Sequence, residues 1–152
     1  MRSLLILLLL VGLTYSIKDS LLGKYKLDHS GKCDKYYEAK MKDFNETDTH
    51  PTTLDVEIMK GTKQETFTIE KKTTKNMVKW ENFRMGEEFE GEGLDTEKEK
   101  ITLKMSNDDL VETHKYNDGS REIFRYHEDK KGLVKVTITY KGKTCHRFLK
   151  RQ

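Results

Sequence analysis

The chain has 152 residues, of which 36% are charged and 34% hydrophobic, and its net charge at pH 7 is +3. This length fits one domain. Positive and negative charges nearly balance, and no basic stripe with interleaved aromatic residues is present, so nucleic acid is not expected as a partner.

The first sixteen residues have the features of a secretory signal peptide. Arg2 supplies positive charge, residues 4–13 are apolar, and Thr14 and Ser16 place small side chains at the −3 and −1 positions of a cleavage site. The apolar run is shorter than the roughly 20 residues that a membrane-spanning helix needs. We therefore expect a signal peptide over residues 1–16 and a secreted, extracellular domain over residues 17–152. That domain would carry a net charge of +2 without Arg2, and no stable membrane insertion is expected.

The segment after the cleavage site predicts one strand, one helix and a loop. Residues 23–27 predict a short strand, and Ser30 is a candidate N-cap for a helix of about three turns. The helical spacing is carried by Cys33, Tyr36, Tyr37, Met41 and Phe44. Residues 45–53 are polar, contain the single proline Pro51, and predict a loop. Within it, Asn45-Glu46-Thr47 is a glycosylation sequon, so a glycan is expected on Asn45.

From Leu54 onward, apolar and polar residues alternate with a period of two. Short alternating segments at roughly 8–12 residue spacing, joined by turn residues, predict an antiparallel meander. Such a meander loses its exposed edges most simply by closing into a barrel. The predicted fold is therefore all-β, a closed antiparallel up-and-down β-barrel with a short helical lid near the N-terminus. The alternating segments are 54–58, 67–69, 77–83, 101–105, 110–116, 123–127 and 134–150.

Residues 134–150 predict a β-hairpin that turns at Lys141-Gly142. A two-residue loop there places Tyr140 opposite Lys143 and fixes the pairing of the whole hairpin. Arg147 then lies opposite Val136, in the middle of an otherwise apolar face. The apolar members of that face are Val134, Val136, Ile138, Tyr140, Cys145 and Leu149.

Arg147 carries the main functional hypothesis. A buried guanidinium cannot lose its charge, and leaving it unpaired costs several kcal/mol. No carboxylate of the hairpin shares its face, so an anionic ligand inside the fold could pair with it. Two alternatives remain open. An alternation offset by one residue would place Arg147 outside, or a distant Asp or Glu could pair with it.

The two cysteines, Cys33 and Cys145, suggest one disulfide. An oxidising compartment favours pairing, and the first and last strands of a closed meander are neighbours. The alternative is two buried free thiols that act as small apolar residues. The five histidines show no zinc-ligand spacing, so no metal is expected.

An enzyme is the less favoured class of function. Glu87/Glu88 and Glu97/Glu99 could be imagined as acid–base pairs, but acidic turns are normally solvated. No G-x-S-x-G motif or Ser/His/Asp arrangement is legible. We expect no catalytic residue and no cofactor.

Several motifs resemble those of the fatty-acid-binding protein family, and in particular its secreted nematode branch. The similarity covers residues 22–150. Gly23-Lys24-Tyr25-Lys26-Leu27 resembles the family's opening strand, with Tyr25 in place of the usual tryptophan. The other matching segments are Gly86-Glu87-Glu88-Phe89-Glu90, Leu94-Asp95, Lys100-Ile101-Thr102-Leu103, Asp118-Gly119 and Lys141-Gly142 with Cys145-His146-Arg147.

The resemblance implies a barrel of about ten strands that holds one long-chain fatty acid or a retinoid-like anion. The carboxylate would be bound by Arg147. The monomeric protein would be a carrier, and the alternative is an extracellular interaction or scaffold protein with a vestigial cavity. The residues expected to contact the ligand are Arg147, Arg125, Tyr126, His127, Val136, Ile138, Tyr140 and Leu149.

The chain departs from the family pattern at three places. Leu149 stands where the family has a tyrosine that binds the headgroup. The second family arginine falls at Tyr126 or His127, beside Arg125, which across a two-residue turn would instead pair with Glu112 on the outer face. Residues 41–54 are too few and too polar for the usual second lid helix.

Overall fold

The computed structural model describes residues 16–44, 51–130 and 132–152, which form a ten-stranded antiparallel sheet and one α-helix. The helix, α1, spans Asp34–Asp43 and follows β1, which spans Gly23–Gly31. The other strands are β2 Asp55–Lys60, β3 Phe67–Lys72, β4 Met77–Phe83, β5 Phe89–Glu92, β6 Lys98–Ser106, β7 Asp109–Lys115, β8 Arg121–Lys130, β9 Leu133–Tyr140 and β10 Lys143–Arg151.

The sheet curls into a nearly closed barrel. Its strand order is β4-β3-β2-β1-β10-β9-β8-β7-β6-β5, so β1 joins β10 and only β4 and β5 are not hydrogen-bonded to each other. Side chains bridge that gap. Trp80 Nε1 donates to the Glu92 carbonyl at 3.1 Å, and the rings of Phe83 and Phe89 stack with centroids 5.6 Å apart. The predicted fold class is confirmed.

The register of the β9–β10 hairpin is the predicted one. Tyr140 pairs with Lys143 and Val136 pairs with Arg147. Lys141 and Gly142 have φ angles of +47° and +72°, as a two-residue turn that matches the strand twist requires. This register rules out the one-residue offset that would have placed Arg147 outside.

The β7–β8 hairpin has a longer turn than predicted, and this changes which residues face inward. The backbone N–H of Tyr116 donates to the Ser120 carbonyl, which leaves three residues in the loop, with Gly119 at φ +87°. Arg125 therefore pairs with Val111 instead of Glu112. Residues that pair across two strands share a face, and one extra loop residue shifts the pairing by one. Glu112 therefore pairs with Phe124 and lies inside the barrel, while Arg125 lies outside.

The first strand is also longer than predicted. It continues past a register shift between Leu27 and His29, and Ser30 pairs with Arg147 instead of capping the helix. The N-cap of α1 is Cys33, whose sulfur is bonded to that of Cys145 in β10. The predicted disulfide is thus present in the structure, and it fastens the start of the helix to the last strand.

Two sequence predictions fall outside the described residues. They are the body of the signal peptide (residues 1–15) and the Asn45 sequon, which lies in the segment 45–50, so both stay predictions. That segment also covers six of the fourteen residues, 41–54, in which a second lid helix would lie. Within the described ranges, no helix combines the length and apolar character needed to cross a membrane.

Candidate ligand-binding site

A cavity of about 40 Å³ lies inside the barrel, against α1. It is lined by side chains from α1, from β2–β4 and β7–β10, and from the turn between β5 and β6. A buried water needs roughly 10–15 Å³ of such space, so the cavity has room for about three waters. Most of the barrel interior is therefore filled by side chains.

Four of the eight predicted ligand contacts line this cavity. Arg147 is 6% exposed, and it reaches the cavity together with Tyr126, Val136 and Leu149. Ile138 and Tyr140 are buried on the same wall, but they do not line the cavity. Tyr140 packs beside the end of the helix instead and donates a hydrogen bond to Asp43 at 2.8 Å.

Arg125 and His127 lie on the outer face, so their prediction as ligand contacts is wrong. Both side chains are exposed and both bind the Asp109 carboxylate, Arg125 at 3.1 Å and His127 at 2.7 Å. The three-residue turn at Gly119 fixes this orientation, because it sets the phase of β8 and leaves Tyr126 as the inward member of the trio.

The positive charge of Arg147 acts to lower the pKa of two buried tyrosines that line the cavity, Tyr36 and Tyr126. Burial raises the pKa of Tyr36 well above its usual value, the Glu122 carboxylate adds to the rise, and the charge of Arg147 offsets part of it. Burial likewise raises the pKa of Tyr126, and the Arg147 charge again acts in the opposite direction. The guanidinium therefore places positive charge where cavity, helix and β8 meet.

Lys40 on α1 is at the centre of a buried network that joins the helix to the barrel. Its Nζ donates to Asp95 Oδ2 at 2.8 Å, to the Tyr116 hydroxyl at 2.6 Å, and to Glu122 Oε2. The Phe44 ring centroid lies 4.4 Å from the same nitrogen. Burial acts to lower the pKa of Lys40, but the Glu122 and Asp95 carboxylates raise it above its usual value, so the amine is charged.

A second buried network also reaches the cavity, through Lys71 and His114. Lys71 Nζ donates to Glu112 Oε1 at 2.6 Å, and the Tyr126 hydroxyl donates to Glu112 Oε2 at 2.8 Å. The two ring nitrogens of His114 bind Glu99 and Glu112. Burial alone would lower the pKa of His114, but these carboxylates raise it to about 9. The pKa of Glu112 falls to about 2, because Lys71 and His114 outweigh its burial.

Glu99 corrects the prediction that the acidic turns are simply solvated. Glu87, Glu88 and Glu97 are exposed, but Glu99 lies in β6 with 3% of its surface exposed. Alternate side chains of a strand point to the same face, so Glu99 points inward together with the buried Ile101.

Most of these interior charges were not predicted from the sequence, although the period of their strands or helix places them on the inner face. Lys71 is in phase with Ile69, Glu112 and His114 are in phase with Leu110, and Lys40 follows Tyr36 by one helical turn. Charged residues were read as outward-facing, as they usually are. Within residues 16–44, 51–130 and 132–152, no group of three or more His, Cys, Asp or Glu side chains is arranged to hold a metal ion.

Comparisons with known proteins identify the family. No protein-family model matches the sequence. Fatty acid-binding protein homolog 1 of Caenorhabditis elegans is 32% identical in an alignment of 152 positions that covers 96% of this chain and 95% of that protein.

Two solved structures share the fold. The extracellular fatty acid binding protein As-p18 superposes with a TM-score of 0.76 at 23% identity, over 90% of this chain and 99% of the other. The Schistosoma mansoni fatty acid binding protein in complex with arachidonic acid gives a TM-score of 0.72 at 21% identity, over 90% and 99% of the two chains. With the relative of 32% identity along nearly its whole length, the chain belongs to the fatty-acid-binding protein family.

Proposed function

We propose that this protein is a secreted, non-enzymatic carrier that binds a long-chain fatty acid, or a retinoid-like anion, inside the barrel. The observation that carries the proposal is the position of Arg147, a permanent cation on the cavity wall of a barrel of this family. A carboxylate that bonds to the guanidinium gains a charge-assisted hydrogen bond, while the acyl chain contributes about 0.8 kcal/mol per buried methylene. The chain would therefore supply most of the affinity, and Arg147 would select the headgroup.

The size of the cavity sets a condition on this proposal. Ligand pockets usually measure about 300–1,000 Å³, far more than the 40 Å³ found here. Binding an acyl chain therefore requires interior side chains to move. The small cavity also favours a second candidate function, an extracellular interaction or scaffold protein whose cavity no longer holds lipid. Organic extraction of the purified secreted protein separates the two: stoichiometric fatty acid supports the carrier, and an empty barrel supports the scaffold.

Replacing Arg147 by methionine should weaken fatty-acid binding by about ten- to hundred-fold, because the charge-assisted bond contributes roughly 1.5–3 kcal/mol. Since Leu149 stands in place of the family's headgroup tyrosine, we expect the lower end of that range. A fatty alcohol of equal length should bind Arg147→Met as well as, or better than, the unmodified protein. Displacement of a fluorescent lipid measures both affinities.

Arg125→Met is the matched control, because Arg125 is an exposed arginine of β8 in the same sheet and binds only Asp109 among the described residues. It should bind acid and alcohol unchanged. An equal loss for acid and alcohol in Arg147→Met would mean that Arg147 supports the fold and does not bind the carboxylate.

The proposal that the protein is secreted rests on the apolar N-terminal run and is supported by the disulfide, which persists in oxidising compartments. Expressed through a eukaryotic secretory pathway, the protein should begin at Ile17 and carry a glycan on Asn45. Intact mass before and after removal of N-glycans measures both, and Asn45→Gln is the control for the glycan. Secreted protein that retains residues 1–16 would contradict the assigned cleavage site.

A further inference from the structure

The buried carboxyl group of Glu99 lies next to a second carboxyl group, that of Asp95. One of its oxygens, Oε2, binds the His114 ring, and the other, Oε1, receives no hydrogen bond from an N–H or O–H group of the described residues. The Asp95 carboxyl lies next to it, because Glu99 Oε1 and Asp95 Oδ1 both crowd the position that a Cβ of Gly93 would occupy. Gly93 makes this close approach possible, since a Cβ at that position would lie 2.5 Å from Glu99 Oε1 and 2.7 Å from Asp95 Oδ1.

Two carboxyl groups can hydrogen-bond only when a proton lies between them. Asp95 already accepts bonds from Lys40 and Tyr116 through Oδ2, which stabilises its charged form. Glu99 has no comparable set of donors, so the proton belongs to Glu99. The pKa values agree with this assignment. Burial raises that of Glu99 to about 8, and the pKa of Asp95 falls to about 2 because the bonds to Glu99 and Lys40 outweigh its burial.

Charged and titratable groups surround Glu99 on several elements of the fold. Asp95 faces it from the β5–β6 turn, His114 faces it from β7, and Tyr116 faces it from the start of the β7–β8 turn. Lys40 on the helix reaches it through Asp95, and Glu112 reaches it through His114. Burial raises the pKa of Tyr116 and the carboxylates raise that of Lys40, so neither group titrates between pH 7 and 9.5.

Protonation of Glu99 decides the charge of the barrel interior. The buried charged side chains of the described residues comprise four cations (Lys40, Lys71, His114 and Arg147) and four acids (Asp95, Glu99, Glu112 and Glu122). With a proton on Glu99 the interior carries one net positive charge, and without it the interior is neutral. We infer that the cluster of Asp95, Glu99 and His114 is a proton-binding site coupled to the lipid site, so that the barrel holds one proton with each fatty-acid anion. This inference rests on the proposed carrier function.

The direction of the coupling follows from the charges. The anion binds better to the positive interior, so affinity is highest while Glu99 holds its proton, below about pH 8. Affinity falls as pH rises through that value, and His114 adds to the fall as it loses its own proton near pH 9. By linkage, the bound anion raises the pKa of Glu99, so binding at pH 8.5–9 takes up a proton from solution. A neutral lipid should show neither effect.

The experiment measures binding of palmitate and of hexadecanol between pH 7.0 and 9.5 by titration calorimetry in buffers of different ionisation enthalpy. For the unmodified protein, palmitate affinity should fall roughly ten- to hundred-fold across this range, as one charge acting within the interior implies, with roughly 0.5–0.8 proton taken up per palmitate at pH 8.5–9. Hexadecanol affinity should stay constant.

Glu99→Gln keeps the shape and neutral charge of the protonated acid, so the fall in palmitate affinity centred near pH 8 should be absent in this variant. Glu90→Gln is the matched control, an exposed acid on β5.

A second measurement needs no ligand and no variant. The infrared spectrum of the ligand-free protein at pH 7 should contain the band of a protonated carboxylic acid, which should vanish as pH rises above 8. Palmitate affinity that is high and independent of pH would overturn the coupling and leave the carrier function standing. Failure to bind palmitate at any pH would overturn the carrier function and the coupling with it. Absence of the carboxylic-acid band would overturn the assignment of the proton to Glu99.

Discussion

Replacing Lys40 by methionine should lower the free energy of unfolding by about 3–5 kcal/mol, because it removes one partner of a buried ion pair and leaves the other uncompensated. Methionine keeps the length of the side chain and its packing against Phe44. It leaves two carboxylates, Asp95 and Glu122, facing each other in the interior without the cation that now binds both. Urea unfolding followed by circular dichroism measures the loss.

Lys42→Met is the matched control, since Lys42 lies on the exposed face of the same helix and its replacement should cost no more than about 0.5 kcal/mol. A second variant separates charge from packing. Adding Glu122→Gln to Lys40→Met removes one of the two uncompensated carboxylates. The double variant should therefore lose less free energy of unfolding than the two single variants lose together. Equal unfolding midpoints for Lys40→Met and Lys42→Met would show that the buried lysine does not hold the helix to the barrel.

The fold was largely predictable from the sequence because alternation and tight turns determine a meander. The two-residue turn at Lys141-Gly142 predicts the register that the last hairpin has, with Arg147 on the inner face. The disulfide was predictable for a related reason, since a closed meander makes its first and last strands neighbours.

The β7–β8 hairpin shows where this reasoning fails. Asn117-Asp118-Gly119 can serve as part of a two-residue or a three-residue loop, and composition does not distinguish them. The shorter loop places Glu112 outside with Arg125, and the longer one, which the structure has, places it inside with Lys71. An error of one residue in the loop therefore placed Glu112 on the wrong face of the sheet.

The interior charges were missed for a different reason. Burial of a single lysine or glutamate is unfavourable, so each was read as exposed when considered alone. Inside the barrel they compensate one another, Lys40 with two carboxylates and Lys71 with Glu112. That pairing joins strands far apart in the sequence, and a one-dimensional pattern cannot show which distant residues meet.

Reduction of the Cys33–Cys145 disulfide should lower the free energy of unfolding by about 4–5 kcal/mol, since the bridge closes a loop of more than a hundred residues. The cysteines are separated by 112 positions, so the bridge restricts nearly the whole unfolded chain. Both cysteines are buried in the folded protein, and reduction adds one hydrogen to each sulfur without removing any side-chain atom. Comparing urea unfolding of the oxidised and reduced protein therefore measures the bridge alone.

The Cys33→Ala/Cys145→Ala variant is the control for the reductant, and its unfolding midpoint should not change when reductant is added. An oxidised protein that unfolds at the same urea concentration as the reduced one would mean that the unfolded chain gains nothing from the bridge. A loss well above 5 kcal/mol would instead point to damage in the folded state around Cys145.

The same reduction also tests how the helix is held. The bridge fastens α1 at Cys33, its N-cap, and Lys40 fastens it about two turns later through Asp95 and Glu122. With either fastening intact the helix stays docked, so amide exchange in α1 should remain slow in the reduced protein and in oxidised Lys40→Met. In reduced Lys40→Met both are lost, and the α1 amides should exchange faster than those of β9 and β10 by local opening. If α1 and the two strands still exchange together, the apolar contacts of the helix hold it without either fastening.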